Sequence, residues 1–388
     1  MADTDLLKPV APEEKWHPYF KALITFAGLA PARDMIREVW GLFPNPDNHF
    51  ELEFQTTGLD ARIWELCVFA VGYYGGFTLT RPHEAPDFLF ARDGIEAWVE
   101  VTTANRSEKF PVKQAETVDD SIHHMHDYLP IRLGGALTAK LKKEYWTQEH
   151  VKGKPLIIAL EDFSENDPFR VDTGSLFRYL WGLDCKVVSI PGEPVKLEYF
   201  QIEEHEHEGK KIPSGFFNLP AAEYVSAIIF SCEGTIPKFK RMGFDFEKHP
   251  FVRMIRFGNC ANYDPTATLP EQFGYMVGDA PEEWTHGMYV YHNPNAMHPL
   301  PRSFFKGFGG QHWIENGVLD NQLRDFAPMG SMTLTLAIEG GEGSLASRDA
   351  KFREMAHLFA LRLKQMFETK MEFHAWRDKF VGAEGKEP

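Results

Sequence analysis

Three acidic residues stand among apolar neighbours, where a lone carboxylate is costly unless it is paired or binds something. They are Glu65 in IWELC, Asp87 in APDFLF and Glu100 in WVEVTT. WVEVTT reads as a strand, so Val99 and Val101 face one way while Trp98, Glu100 and Thr102 face the other. PDFLFA reads as the strand before it, and the turn RDG between the two carries Asp87 across toward Glu100. Carboxylates placed so near each other repel unless a proton or a cation intervenes. A hard, oxygen-liganded ion such as Mg²⁺ (or Mn²⁺) suits two carboxylates, the Val101 carbonyl and waters. Glu65, the one charged residue from Ile63 to Tyr74, would supply a third acid and hold a metal-bound water. Such an arrangement serves phosphodiester hydrolysis: the ion acidifies a bound water and neutralises charge building on the phosphate. The plainer structural reading is that Asp87 is a turn acid, Glu100 lies on an exposed sheet face and Glu65 pairs with an arginine.

The elements that must position these acids follow from periodicity. Ile63, Leu66, Cys67, Ala70, Val71 and Tyr74 keep helical spacing, and Trp64, Val68 and Phe69 make the remaining sides apolar as well, the mark of a buried helix. GGALTAKLKKEYW reads as a basic amphipathic helix with Leu137, Leu141 and Tyr145 on one side. KPLIIALED is a continuous apolar run, as in a central buried strand. Further strand signals are CKVVSI, LEYFQIEEHEHEGKKI, YVSAIIFS, GMYVYH and MTLTLAI, and SRDAKFREMAHLFALRLKQMF closes the chain as a helix. The expected class is α/β. The expected organisation is a helical extension over 1–60, a core over 61–165, and an α/β extension over 166–388, without an assigned role, that continues the same sheet.

Composition bounds the rest. A chain of 388 residues with 43% hydrophobic residues and 14% aromatics can bury a large core. No apolar run is long enough to span a bilayer, and the first residues lack the basic start and apolar stretch of a signal peptide. The four cysteines form no CxxC pair, which fits reduced thiols and a cytoplasmic location. A net charge of −15 argues against a non-specific basic coat for nucleic acid. Two local basic clusters remain, at 132–154 and 238–256. Either reads as a solvated face, or as a grip on a phosphate backbone through Lys142, Lys143, Lys238, Lys240 and Arg241. Two histidine-rich stretches, HHMHD (123–127) and EEHEHE (203–208), have ligand-bearing side chains but no cysteine nearby; the second reads as a solvated hairpin tip.

A helical Glu65, then PDF with Asp87, then a strand acid at Glu100 resembles the PD-(D/E)xK nuclease superfamily, of restriction-endonuclease-like fold. The element order from 61 to 162 is similar to that family's αβββαβ core with a mixed sheet. The resemblance implies a Mg²⁺-dependent DNA endonuclease of restriction, phage defence or repair, with Asp87, Glu100 and Val101 on the metal and DNA as partner. Such a chain can also work with a partner protein or as a homo-oligomer. This sequence departs from the pattern at position 102, where the family carries lysine and this chain has threonine. Three readings stay open: the Thr102 hydroxyl serves; Lys140, beside the Leu137 and Leu141 face of the next helix, has taken over the role; or the fold is an inactive scaffold or partner subunit.

Overall fold

The computed structural model describes residues 5–44, 47–107, 123–164, 173–188, 190, 193–231, 233–337, 348–365 and 368. Four helices open the chain: α1 (Pro18–Thr25), α2 (Ala30–Leu42), α3 (Phe50–Gln55) and α4 (Leu59–Tyr74). The first three pack into the same apolar cluster as α4. That helix is buried on all sides, as its sequence requires, with Trp64, Leu66, Cys67, Phe69 and Ala70 almost wholly enclosed.

Three antiparallel strands follow, β1 (Thr78–Thr80), β2 (Phe88–Arg92) and β3 (Ile95–Asn105). The β2–β3 turn is the pair Asp93–Gly94, with φ of 50° and 79°. Positive φ at both positions is what a two-residue hairpin turn of the right twist demands, and Asp-Gly supplies it at little steric cost. A short π-helix (His124–Tyr128) leads into α5 (Leu129–Leu141), which crosses over to β4 (Leu156–Phe163), parallel to β3. The helix expected over GGALTAKLKKEYW thus starts earlier and stops at Leu141. Glu144 turns left-handed (φ 50°) and breaks it before Tyr145.

Next come α6 (Thr173–Trp181), the ribbon β5 (Leu183–Val188) with β6 (Lys196–Gln201), and the hairpin β7 (Glu204–His207) with β8 (Lys210–Pro213). LEYFQIEEHEHEGKKI is therefore three strands rather than one, and Glu208 and Gly209 at positive φ make the hairpin turn. The remaining elements are β9 (Val225–Ser231), α7 (Ile236–Met242), β10 (Val252–Cys260), β11 (Glu271–Met276), β12 (Met288–His292), β13 (Gly310–Glu315), β14 (Val318–Leu323) and β15 (Pro328–Ala337). Residues 348–365 are helical.

The protein is a mixed α/β structure built on an eight-stranded sheet of order β1-β2-β3-β4-β9-β12-β13-β14. The expected boundary near residue 165 lies at the edge of residues outside those described, and the sheet runs on past it. β4 is buried on both faces: Ile157 and Ala159 join the cluster around α4, while Leu156, Ile158 and Leu160 join the one around α5. The two helices that flank the acids thus lie on opposite faces of the sheet. A second sheet, β11-β10-β15, is antiparallel. Among the described residues no helix is long and apolar enough to cross a membrane.

Buried ions link α7 to this second sheet. Arg256, in the middle of β10, is fully enclosed and bonds Glu233 at 2.6 Å and Glu282 at 2.9 Å. Lys238 bonds Glu282 at 2.8 Å, and Arg241 reaches Glu233 and Glu282 at 3.2 Å each. Lys240 is bonded to Thr335. This corrects the phosphate-gripping reading of Lys238, Lys240 and Arg241. All three are buried, and their charges are spent on α7's own anchorage rather than turned to a surface.

Candidate active site on β2, β3 and α5

Asp87 precedes β2 by one residue, and the β2–β3 register pairs Phe88 with Val99. One step further along, Asp87 stands beside Glu100. Its Oδ2 accepts the Val101 backbone N–H at 2.7 Å, which fixes the carboxylate against β3. Glu100 is buried and alternates with Val99 and Val101, so it faces the α5 side together with Trp98. Val101 itself turns its side chain into the α4 cluster.

Lys140, in the last turn of α5, places Nζ 2.5 Å from Glu100 Oε1. It gets there because Leu137 and Leu141 bury against the sheet and rotate the residue between them inward. The Tyr145 hydroxyl donates to the same Oε1 at 2.6 Å. With Lys140 and Tyr145 both on Oε1, Glu100 Oε2 is buried without a hydrogen-bond partner. Thr102, one pleat along, is half-buried on the same strand face.

Glu65 is paired with arginines, as the plainer of its two readings has it, and not turned to a metal site. Arg62 holds its Oε2 at 2.7 Å and Arg81 lies 2.8 Å from its Oε1, so both oxygens face guanidinium groups. Arg81 also lies 3.9 Å from Asp87 and 3.8 Å from Asp47. Of the three acids expected at a metal, Glu65 is thus engaged by two arginines, and Asp87 and Glu100 remain as the pair that faces one another. Among the described residues no group of three His, Cys, Asp or Glu side chains is arranged to hold a metal. Glu161 and Asp162 take no part in this site: Glu161 Oε1 accepts the Gly234 N–H at 2.8 Å, and Asp162 Oδ1 accepts the Ser164 N–H at 2.8 Å.

Burial, with Glu100 and then Glu65 close by, pushes the Asp87 carboxyl up to about 8, against the pull of the Val101 N–H and Lys140. Glu65 is shifted upward as well, by burial, despite its arginines. A divalent cation between Asp87 and Glu100 would relieve their repulsion and take up the orphaned Glu100 Oε2. Two carboxylates plus waters is an acceptable set for Mg²⁺. The donor set therefore fits a hard ion held by Asp87 and Glu100.

The same shift has a consequence for stability. In the unfolded chain Asp87 ionises near pH 4, and in the folded chain near pH 8. Between those values the folded state holds a proton that the unfolded state has lost, so Asp87's contribution to stability falls as pH rises through that window. Asp87→Asn keeps an acceptor for the Val101 N–H and carries no charge. In metal-free protein it is expected to raise Tm relative to wild type by about 2–5 °C at pH 8.5, and much less at pH 5.5. Equal differences at the two pH values, measured by thermal melting, would show that Asp87 is not the titrating group.

Among the residues named from sequence, Asp87, Glu100, Val101, Thr102 and Lys140 share this site, and Lys142 and Lys143 are exposed just past the end of α5. Tyr145, Arg62 and Arg81 were not anticipated. Tyr145 had a signal, its place on the apolar side of the basic helix. An arginine partner for Glu65 was one of the two readings of the sequence, but nothing in the sequence singled out Arg62 or Arg81 as that partner. No protein-family model, curated protein or solved structure matches this chain.

Proposed function

We propose that the chain is a Mg²⁺- or Mn²⁺-dependent nuclease of the PD-(D/E)xK type acting on DNA, with its lysine supplied by Lys140 of α5. The observation that carries this reading is the Lys140 ammonium at 2.5 Å from Glu100, beside an Asp87 that burial, and then Glu100, drive toward protonation. The local topology supports it: a helix, three antiparallel strands, a crossover helix and a strand parallel to the third. Asp87 and Glu100 would hold the ion. When bound, it supplies an acidified water and neutralises charge on the phosphate. Lys140 Nζ donates toward the attacking water or a phosphate oxygen from its post on Glu100 Oε1. Tyr145 pins that same oxygen, which leaves Oε2 for the ion. Lys142 and Lys143, exposed next to the helix end, would meet the phosphate backbone. A role in restriction, phage defence or repair is consistent with such an activity.

A second reading has its own observation. The Arg62 and Arg81 clamp on Glu65 suits a nuclease fold that binds without cutting, as a scaffold or the partner of another subunit. Incubation of supercoiled plasmid and single-stranded DNA with Mg²⁺ or Mn²⁺ separates the two. Cleavage that EDTA and Glu100→Ala both remove supports the enzyme; DNA retention without any cleavage favours the scaffold.

A further inference from the structure

The two histidine-rich stretches meet in the fold. His123, at the turn entering α5, and His207, at the end of β7, are 84 positions apart in sequence, yet His123 Nε2 lies 3.0 Å from His207 Nδ1. On its other side, His123 Nδ1 lies 3.0 Å from Asp127 Oδ2. With the Nδ1 hydrogen donated to the carboxylate, Nε2 is the ring's lone pair. That carboxylate–imidazole order orients histidines that ligate metals.

The approach of the two rings is built rather than incidental. His205 is buried; its Nδ1 lies 2.7 Å from the His126 carbonyl and its Nε2 2.9 Å from Ser214 Oγ. The Glu206 N–H donates to Asp127 Oδ1 at 3.3 Å. His205 and His207 share a face of β7, so the buried ring pegs the hairpin down and the next ring on that face reaches His123. This corrects the reading of EEHEHE as a purely solvated tip.

We propose that His123 and His207 form a binding site for a borderline transition-metal ion of the Zn²⁺ class, with Asp127 orienting His123. Two imidazole nitrogens at about 2.0–2.1 Å from a tetrahedral zinc stand about 3.3 Å apart, so an opening of a few tenths of an ångström admits the ion. The proton shared between the rings moves to the other nitrogen of His207, and waters complete the shell. His123 is half exposed, which gives the ion access. With no third side-chain ligand among the described residues, binding is weaker than at a closed four-ligand structural zinc site. Imidazole selects zinc, nickel or copper over magnesium, so this site is chemically distinct from the carboxylates at Asp87 and Glu100. Its ion would clip the β7–β8 hairpin to the start of the helix that carries Lys140.

The test is calorimetric titration of the metal-stripped full chain with ZnCl₂, in excess Mg²⁺ so that the carboxylate site is occupied. One saturable zinc per chain is expected. His123→Ala and His207→Ala should each weaken it at least tenfold, and Asp127→Asn about tenfold. A second reading on wild-type protein guards against a misfolded variant: zinc should shift the imidazole C–H resonances of His123 and His207. Zinc uptake unchanged in the doubly substituted chain, no uptake by wild type, or those resonances staying put would overturn the proposal.

Discussion

Lys140→Met is expected to lower Mg²⁺-dependent plasmid cleavage by about 10²–10⁴-fold, the range typical for losing a positioned proton donor or charge stabiliser. Methionine keeps the apolar stem that packs beside Leu137 and Leu141, so the fold should be retained while the ammonium is lost. The competing readings predict other outcomes. If the Thr102 hydroxyl is the assisting group, Thr102→Val carries the large loss and Lys140→Met a small one, because the strand residue then supplies the contact. If Lys140 merely neutralises Glu100, Lys140→Met should leave cleavage at saturating Mg²⁺ near that of wild type, because the bound ion takes over the neutralisation. Tyr145→Phe makes a graded control. It removes one of two donors on Glu100 Oε1 and keeps the ring, so a loss of about tenfold is expected, the equivalent of one hydrogen bond to a charged group. The readout is the initial nicking rate at saturating Mg²⁺. A Lys140→Met chain that cuts within threefold of wild type would remove lysine from the mechanism.

Much of the site's scaffold was legible because its elements carry strong periodic signals. Helix α4 is apolar all round, β3 alternates, β4 is apolar throughout, and Asp-Gly marks the hairpin turn. Each of these is a local property of a few consecutive residues. Lys140 could be singled out on the same basis, since Leu137 and Leu141 show which way α5 turns. The partners of the acids could not. Arg62 is one helical turn from Glu65, yet Arg81 comes from the loop after β1 and Tyr145 from a turn after α5, and those meetings depend on tertiary packing. The basic run at 238–256 hides its fate for the same reason. Its charges look solvated in a one-dimensional listing of residues, because Glu233 precedes the run and Glu282 follows it at a distance. Only folding brings those two glutamates into its middle. Strand β10 was hidden by its own arginines: VRMIRFGNC does not look like a buried strand until Arg253 and Arg256 have acids to meet. Likewise, neither HHMHD nor EEHEHE reveals the other as its neighbour.

The buried charges around Arg256 set the second large expectation, one of stability. Arg256→Ala is expected to destabilise the protein by about 3–5 kcal/mol, because breaking a buried ion pair leaves its partners charged and dry. The guanidinium donates to Ser331 Oγ at 3.0 Å, Tyr275 Oη at 3.1 Å, Glu282 at 2.9 Å and Glu233 at 2.6 Å. Strands β11 and β15 flank it directly, with Tyr275 and Thr333 in register. Its loss therefore weakens the second sheet and the seat of α7 together. Arg241 and Lys238 remain near the two glutamates and keep the loss from being larger. The sign with pH follows from the carboxylates. Glu233 and Glu282 are held below their ordinary value: burial pushes them up, but Arg256, Arg241 and Lys238 outweigh it. Depressed carboxylates stabilise the fold above the unfolded value near 4.3, and that contribution fades as pH falls through the folded values. Without Arg256 the two acids protonate more readily, so the penalty should be larger at pH 7 than at pH 5. Glu233→Gln in the same chain should recover part of the loss by removing a charge left without its closest partner. Urea unfolding midpoints of the single and double variants at both pH values test this. A penalty equal at pH 5 and pH 7, with no recovery from Glu233→Gln, would mean that Arg256 holds the sheet by packing on Phe273 and Phe326 rather than by its charge.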